Sequence, residues 1–113
     1  MGYKVCENDS RIIMTRGDTV KITVRIKYKD SDDFYEPVEG ETVRFSVKKY
    51  LSDKRPAIEK DIPLDSMLLT LDPEDTKDLG FGHYHYDIQL IRRNGDVTTF
   101  VEDKTLEITG EVN

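Results

Sequence analysis

The amino-acid sequence predicts an all-β fold, an antiparallel β-sandwich of about seven to nine short strands with one short helical turn. Apolar and polar residues alternate with a period of two along most of the chain, and turn-forming residues separate the alternating runs. The length of 113 residues suits one domain. We expect residues 1–10 to be an N-terminal extension, either flexible or added to a sheet edge, and residues 11–113 to form a single domain. A small barrel is the alternative arrangement.

The alternating runs define the strands. VKITVRIKY (residues 20–28) is the first long one, and it places only apolar or aromatic side chains on one face: Val20, Ile22, Val24, Ile26 and Tyr28. Such a run predicts a half-buried antiparallel strand. The runs TVRFSVKK (42–49) and HYHYDIQLI (83–91) repeat the pattern, and VTTFVE (97–102) and TLEITGEV (105–112) predict two closing strands. Weaker candidates are residues 11–14, 57–62 and 67–71.

Two local signals predict the connections. Asn94-Gly95 lies between two strand-like runs, and both residue types tolerate the positive φ of a tight hairpin. The segment DPEDTK (72–77) predicts one helical turn, with Asp72 as its N-cap and Pro73 in its first position. Gly80 follows just past the end of that turn.

The tripeptide Arg16-Gly17-Asp18 matches a cell-adhesion sequence, but it lies between a short predicted strand and a long one. A tight turn needs the positive φ of Gly17, and Asp18 is able to bond the backbone amides that follow it. An adhesion loop would instead present the tripeptide at the tip of a long exposed connection. We therefore interpret Gly17 and Asp18 as structural turn residues.

Composition excludes several function classes. The chain carries 17 Lys and Arg residues against 23 Asp and Glu residues, a net charge of −6, so we expect neither nucleic acid nor a membrane as partner. Cys6 is the only cysteine, which rules out an intrachain disulfide. The N-terminal stretch lacks the apolar core of a secretory signal, so we expect no signal peptide. No cofactor-binding motif is present, and we expect no cofactor and no enzymatic activity.

Two groups of residues are weak candidates for metal ligands. His83 and His85 project from one face of a predicted strand, and Asp87 follows on the same face. The alternative is a polar strand face turned to solvent or to a neighbouring subunit. The second group, a candidate calcium loop, has EF-hand spacing but lacks the required glycine, and its alternative is a solvated loop. Its candidate ligands are Asp30, Asp32 and Glu41.

The aromatic residues divide into core and surface candidates. Tyr84, Tyr86 and Phe45 fall on the apolar faces of their strands. Three others fall at strand ends or on outward faces, so we expect them to anchor a partner surface: Phe100, Tyr50 and Tyr35. The basic cluster at residues 48–55 is either a solvated loop or a contact with an acidic subunit.

Two segments resemble immunoglobulin-type domains: GDTVKITV (17–24) resembles the entry to their second strand, and LDPEDTKDLGFGHYHYDIQL (71–90) resembles the entry to their sixth. The resemblance implies an immunoglobulin-like sandwich in which the Tyr84 hydroxyl bonds back to the backbone of the preceding turn. It also implies that Val24 and Tyr86 occupy the two positions that hold the intersheet disulfide in antibody domains. Since neither is cysteine, we expect Val–Tyr packing there.

The segment FYEPVEGETVRFSVKK (34–49), with residues 82–90 and the Asn94-Gly95 turn, resembles small sandwich domains of structural proteins in tailed bacteriophages and prophages, notably the N-terminal domain of upper baseplate proteins. That resemblance implies a non-catalytic structural or docking module of the tail, baseplate or neck. Such a chain is made in the bacterial cytoplasm and becomes a virion component. Its partners would be other phage structural proteins or itself, as a homo-oligomer.

Two other function classes remain open from the sequence. One is a surface β-sandwich that binds carbohydrate or another ligand, assisted by calcium at residues 30–41. The other is a small metalloenzyme that uses His83 and His85. A calcium-dependent rise in melting temperature would favour the first, and bound transition metal would favour the second.

Overall fold

The computed structural model describes residues 3–5, 11–27 and 34–110. Within them the regular secondary structure is almost entirely β, with ten strands and a single helical turn. The elements in chain order are β1 Tyr3–Val5, β2 Ile12–Thr15, β3 Val20–Thr23, β4 Ile26–Lys27, β5 Phe34–Tyr35, β6 Thr42–Lys48, β7 Ile58–Ile62, β8 Leu68–Leu71, α1 Pro73–Thr76, β9 Gly82–Ile91 and β10 Val97–Thr109. The predicted all-β, sandwich-like fold is confirmed.

Six strands form the main sheet, in the order β1-β2-β10-β9-β6-β7, while β3 pairs with β8 and β4 with β5. All pairs are antiparallel except β2 with β10, which run parallel from Ile12↔Leu106 to Thr15↔Thr109. The β6–β9–β10 neighbours facing a β3–β8 pair are the arrangement of the C, F, G and B, E strands of an immunoglobulin-like sandwich. Residues 3–5 form the edge strand β1.

The core lies between the main sheet and the β3–β8 pair, where the period-two alternation places the apolar side chains. Both β6 and β9 bury every second residue, and Phe45 on β6 is fully buried. The ring centroids of Phe45 and Tyr86 lie 5.3 Å apart. Val24 and Tyr86 are both buried in this core, as the resemblance to immunoglobulin-type domains implied.

The predicted strand of residues 20–28 is interrupted. The β3 strand ends at Thr23, the amide of Val24 donates to the carbonyl of Met67 at 2.8 Å, and Ile26 then pairs with Tyr35 on β5. The chain thus changes partner from β8 to β5, and residues 24 and 25 between the two pairings belong to neither strand. The alternation survives, since Val20, Val24 and Ile26 are buried. Tyr28 lies outside the described residues.

The two predicted C-terminal strands are one long strand, β10. Its register against β9 shifts between Thr99 and Val101 and again between Val101 and Lys104, and Asp103 has a φ of 39°. A bulge adds a residue and bends a strand without ending its pairing. The prediction of two strands was wrong for this reason.

The predicted Asn94-Gly95 hairpin joins β9 to β10. The Arg92 amide donates to the Asp96 carbonyl at 2.8 Å, and the Gly95 amide donates to the Arg92 carbonyl at 2.9 Å. Of the two central residues only Gly95 has a positive φ, 92°. The connection is therefore a three-residue loop, in which Gly95 uses the positive φ that both residue types tolerate and Asn94 does not. Asn94 instead accepts the Asp96 amide on its side-chain oxygen at 3.0 Å.

The predicted helical turn is present as α1, with Asp72 as N-cap and Pro73 in its first position. The Asp72 amide donates to Oδ2 of Asp75 at 2.7 Å, and Lys60 on β7 lies 2.9 Å from the same oxygen, which ties the turn to the main sheet. After the turn, the Tyr84 hydroxyl donates to the Gly80 carbonyl at 2.9 Å, the bond that the immunoglobulin resemblance implied. No helix among the described residues has the length and apolar character needed to span a membrane.

Candidate functional site on the outer face of the main sheet

The Arg-Gly-Asp tripeptide is a tight turn, as predicted. The Asp18 amide donates to the Thr15 carbonyl at 3.2 Å, and Gly17 has a φ of 82°, which the third position of a type II turn requires. The Gly17 amide also donates to Oγ1 of Thr76 at 2.8 Å. The Arg16 guanidinium lies 4.3 Å from the Phe81 ring centroid. Both contacts hold the tripeptide against its own domain, which favours the structural interpretation.

The two histidines of the metal hypothesis bond to different acids of β10. Nδ1 of His85 lies 2.6 Å from Oδ1 of Asp103, and Nε2 of His83 lies 3.2 Å from Oε1 of Glu107. Among the described residues, no group of three or more His, Cys, Asp and Glu side chains is placed to hold a metal ion. The structure therefore does not assemble His83, His85 and Asp87 into a ligand set.

The candidate calcium loop is only partly described, because Asp30 and Asp32 lie outside the described residues. Glu41, its third candidate, accepts the Tyr35 hydroxyl at 2.6 Å and the Val38 amide at 2.9 Å. These hydrogen bonds, chiefly that from Tyr35, lower the pKa of the Glu41 carboxyl below its usual value. Glu41 is therefore a structural acceptor that fixes the connection between β5 and β6.

Two of the three predicted surface aromatics are partly buried. Tyr35 and Phe100 stack with ring centroids 6.1 Å apart, and both pack against the core. The expected outward placement of Phe100 was wrong, because its ring packs on Tyr35 against the core, and among the described side chains of β10 Val97 is the exposed apolar one. Tyr35 lies at the end of β5, as expected, but it also packs against the core. The third candidate, Tyr50, is 62% exposed, and Leu51 beside it, which the sequence argument overlooked, is 61% exposed.

The connection from β6 to β7 presents Tyr50 and Leu51 on an ordered turn. Oδ2 of Asp53 accepts the Tyr50 amide at 3.1 Å. Nζ of Lys49 donates to the His83 carbonyl at 3.2 Å and lies 4.6 Å from the Tyr84 ring centroid. These contacts hold the turn against β9.

A groove of about 240 Å³ lies on the outer face of the main sheet, the face turned away from the core. Three strands and the β6–β7 connection contribute its polar and apolar lining: Ser46, Lys48, Leu51, His85, Tyr86, Asp87, Thr99 and Asp103. We call it the Asp87 groove. The sequence analysis named His85, Tyr86, Asp87 and the basic cluster that holds Lys48 and Leu51, but it did not bring them together or include Ser46, Thr99 and Asp103, because strand pairing and register are not specified by the sequence.

Asp87 is the unusual residue of the groove. Its Oδ1 atom is buried and has no hydrogen-bond partner among the described residues. This burial raises the pKa of the Asp87 carboxyl above its usual value, and the nearby charge of Lys48 acts in the opposite direction. No described hydrogen bond or ion pair joins Lys48 to Asp87, so the carboxylate is only partly compensated.

The strand surface around the groove is acidic, whereas the end of β6 and the connection that follows it carry the basic cluster of residues 48–55. On the described parts of β6, β7, β9 and β10, this face carries five carboxylates and two Lys or Arg side chains: Asp87, Asp103, Glu107, Glu59 and Asp61 against Lys48 and Arg44. Arg44 is already engaged, with Nε 2.9 Å from Oδ1 of Asp61. The face therefore has a surplus of negative charge.

A larger groove of about 480 Å³ lies where the chain changes partner, lined by residues that include Val24, Ile26, Tyr35 and Met67. Residues 28–33, which connect β4 to β5, lie outside the described residues. We build no site on this groove for that reason.

Comparisons of the chain with protein-family models, with curated proteins and with solved structures find no match. The function is therefore argued from the geometry of the outer face and from the sequence resemblances given above. A fold alone does not determine a function, which depends on the residues of a particular site.

Proposed function

We propose that this chain is a non-catalytic docking module that acts by assembly with other proteins in the tail, baseplate or neck of a phage or prophage particle. The observation that carries the docking function is the outer face of the main sheet. There the exposed side chain of Leu51 lines the Asp87 groove, and the exposed Tyr50 precedes it on the same turn. A large exposed aromatic residue beside a polar groove is the combination found at protein–protein interfaces.

The non-catalytic part of the proposal is supported by the size of the groove and by its titratable groups. The volume of about 240 Å³ is below the usual range for pockets that enclose a small-molecule substrate. His85, the one histidine in the groove, is bonded at Nδ1 to Asp103. The groove is therefore better suited to one side chain of a partner than to a substrate that must be surrounded.

The phage setting is supported by the resemblance of residues 34–49 and 82–90 to small sandwich domains of tail and baseplate proteins. In that setting the partner is another structural protein of the particle or a second copy of this chain. Docking modules of this kind contribute surfaces rather than reactive groups, which agrees with the acidic strand surface around the groove.

Mass spectrometry of particles purified from an induced culture of the encoding bacterium tests the proposal. We expect this chain to co-purify with tail or capsid proteins at a fixed stoichiometry that persists after a second density gradient. Its absence from the particles, with presence in the soluble or secreted fraction, would remove the phage setting.

A further inference from the structure

We propose that the Asp87 groove binds the cationic side chain, Lys or Arg, of a partner protein. The inference rests on the docking function proposed above and names the chemistry of its partner. It is carried by three observations: the carboxylate whose Oδ1 atom has no hydrogen bond, the size of the groove, and the charge of the strand surface around it.

The Asp87 carboxylate is prepared for a cationic donor. Its Oδ1 atom is buried without a hydrogen bond, so part of the carboxylate already loses its water when the chain folds, while the half-buried side chain still lines the groove and stays open to a partner. A hydrogen-bond donor that also carries a positive charge recovers more free energy from such a group than from a fully hydrated carboxylate. Preorganisation of this kind increases affinity because less desolvation remains to be done on binding.

The groove has room for one side chain. Its volume of about 240 Å³ suits a guanidinium or ammonium group with its aliphatic stem. Leu51 supplies an apolar surface for the stem, and Ser46 and Thr99 supply hydroxyl oxygens that accept further N–H donors.

A partner cation matches the charge of the outer face, which has more carboxylates than Lys and Arg residues. A metal ion fits less well, since the described acids and histidines form no group of three ligands. Lys48 is the competing cation inside the groove, but it makes no described ion pair with Asp87. Its long stem lets the ammonium move into solvent when a partner enters.

Nuclear magnetic resonance titration of the ¹⁵N-labelled chain tests this inference, with three blocked pentapeptides as probes. Each has glycine at the outer four positions and carries arginine, lysine or citrulline at the centre, citrulline being the neutral analogue of arginine. We expect the arginine and lysine probes to shift the backbone amides of Ser46, Asp87 and Thr99 with dissociation constants in the millimolar range. The citrulline probe should bind at least tenfold more weakly.

Two variants of the groove should change the affinity in opposite directions. Asp87→Asn should weaken binding of the arginine probe at least tenfold, because the charge is removed. Lys48→Gln should strengthen it several-fold, because the competing cation is removed. Asp61→Asn is the matched control, since Asp61 is an exposed carboxylate of the same face outside the groove, and it should change the affinity less than twofold.

The inference is overturned if the citrulline probe binds as well as the arginine probe, if Asp87→Asn and Asp61→Asn weaken binding equally, or if no probe shifts these amides. Thermal unfolding of each variant verifies that it is folded. These outcomes are independent of the particle experiment. If the chain is found in particles but does not bind the probes, only the inference about Asp87 is overturned. If the chain is absent from particles but binds the arginine and lysine probes selectively, only the phage setting is overturned.

Discussion

Asp87 is a residue of the outer sheet face whose ionised side chain lowers the stability of the folded domain. A carboxylate there would ordinarily be hydrated, but its Oδ1 atom is buried without a hydrogen-bond donor. The raised pKa of Asp87 means that ionisation of this side chain opposes folding. The penalty is absent below about pH 3.8, the usual value of the group, and fully present above the raised pKa.

Asp87→Asn should therefore stabilise the unliganded domain at neutral pH. We expect a gain of about 0.5–1 kcal/mol in the free energy of unfolding at pH 7, discounted for the partial exposure of the side chain, and no gain near pH 3. Thermal unfolding at the two pH values measures the difference. A loss of stability at pH 7 would mean that the charge of Asp87 supports the fold.

Gly40 and Gly95 provide a second comparison at single positions, because both have φ near 90° but different surroundings. At Gly95 a Cβ atom would meet nothing within 4 Å, whereas at Gly40 it would overlap the side chain of Arg93. Arg93 is fixed there, since its Nε donates to the Glu39 carbonyl at 2.7 Å. This contact joins the connection between β5 and β6 to the hairpin between β9 and β10.

Gly95→Ala should cost about 1 kcal/mol of unfolding free energy, the strain of a left-handed alanine. Gly40→Ala should cost about 2–3 kcal/mol, because the Arg93 contact is lost as well. Urea denaturation of both variants measures the two values. Equal losses would show that Arg93 moves aside without cost.

At the level of elements, the conformation of β10 determines whether Phe100 is exposed to a partner. Phe100, beside the first register shift of the strand, packs on Tyr35, whereas Val97 is exposed. The exposed aromatic candidate is instead Tyr50, on the turn that follows β6, next in sequence to Leu51 of the Asp87 groove. A docking surface on this protein is thus built from a turn and a sheet face rather than from the end of a strand.

Phe100→Ala and Tyr50→Ala should separate folding from docking. Phe100→Ala should lower the free energy of unfolding by about 2 kcal/mol, less than a fully buried phenylalanine would, because Phe100 is partly exposed. Tyr50→Ala should change it by less than about 0.5 kcal/mol and should weaken incorporation into particles. Guanidinium denaturation and particle mass spectrometry give the two readouts. If Phe100→Ala weakened incorporation without loss of stability and Tyr50→Ala lowered stability, Phe100 would be the residue that contacts the partner.

The strands and the helical turn also show which structural features the sequence can predict. Alternation predicted the buried faces of β6 and β9, and the Asp72-Pro73 pair predicted α1, because these are local properties of the chain. The partner change at Val24 depends on where Met67 and Tyr35 lie, and the inward placement of Phe100 depends on the pairing of β10 with β9. The same limit applies to Asp87, since its missing donor depends on three neighbouring strands.

For the whole molecule, the parallel pairing of β2 with β10 has a mechanical consequence. The strand near the beginning of the domain and the strand near its end lie side by side and point in the same direction, and the Arg16 amide donates to the Thr109 carbonyl at 3.0 Å. Tension applied at residues 11 and 110 would pull these strands in opposite directions along their length. All the hydrogen bonds between them would then bear the load together instead of opening one at a time.

A domain in which terminal strands are loaded in shear should resist stretching more strongly than one whose end strands separate like a zipper. Single-molecule force spectroscopy with handles at residues 11 and 110 should therefore show a higher unfolding force than handles at residues 91 and 97, which open the β9–β10 hairpin from its loop. For a module held between two neighbours in a contracting or injecting particle, such a pair of strands would transmit tension without opening the outer face of the main sheet.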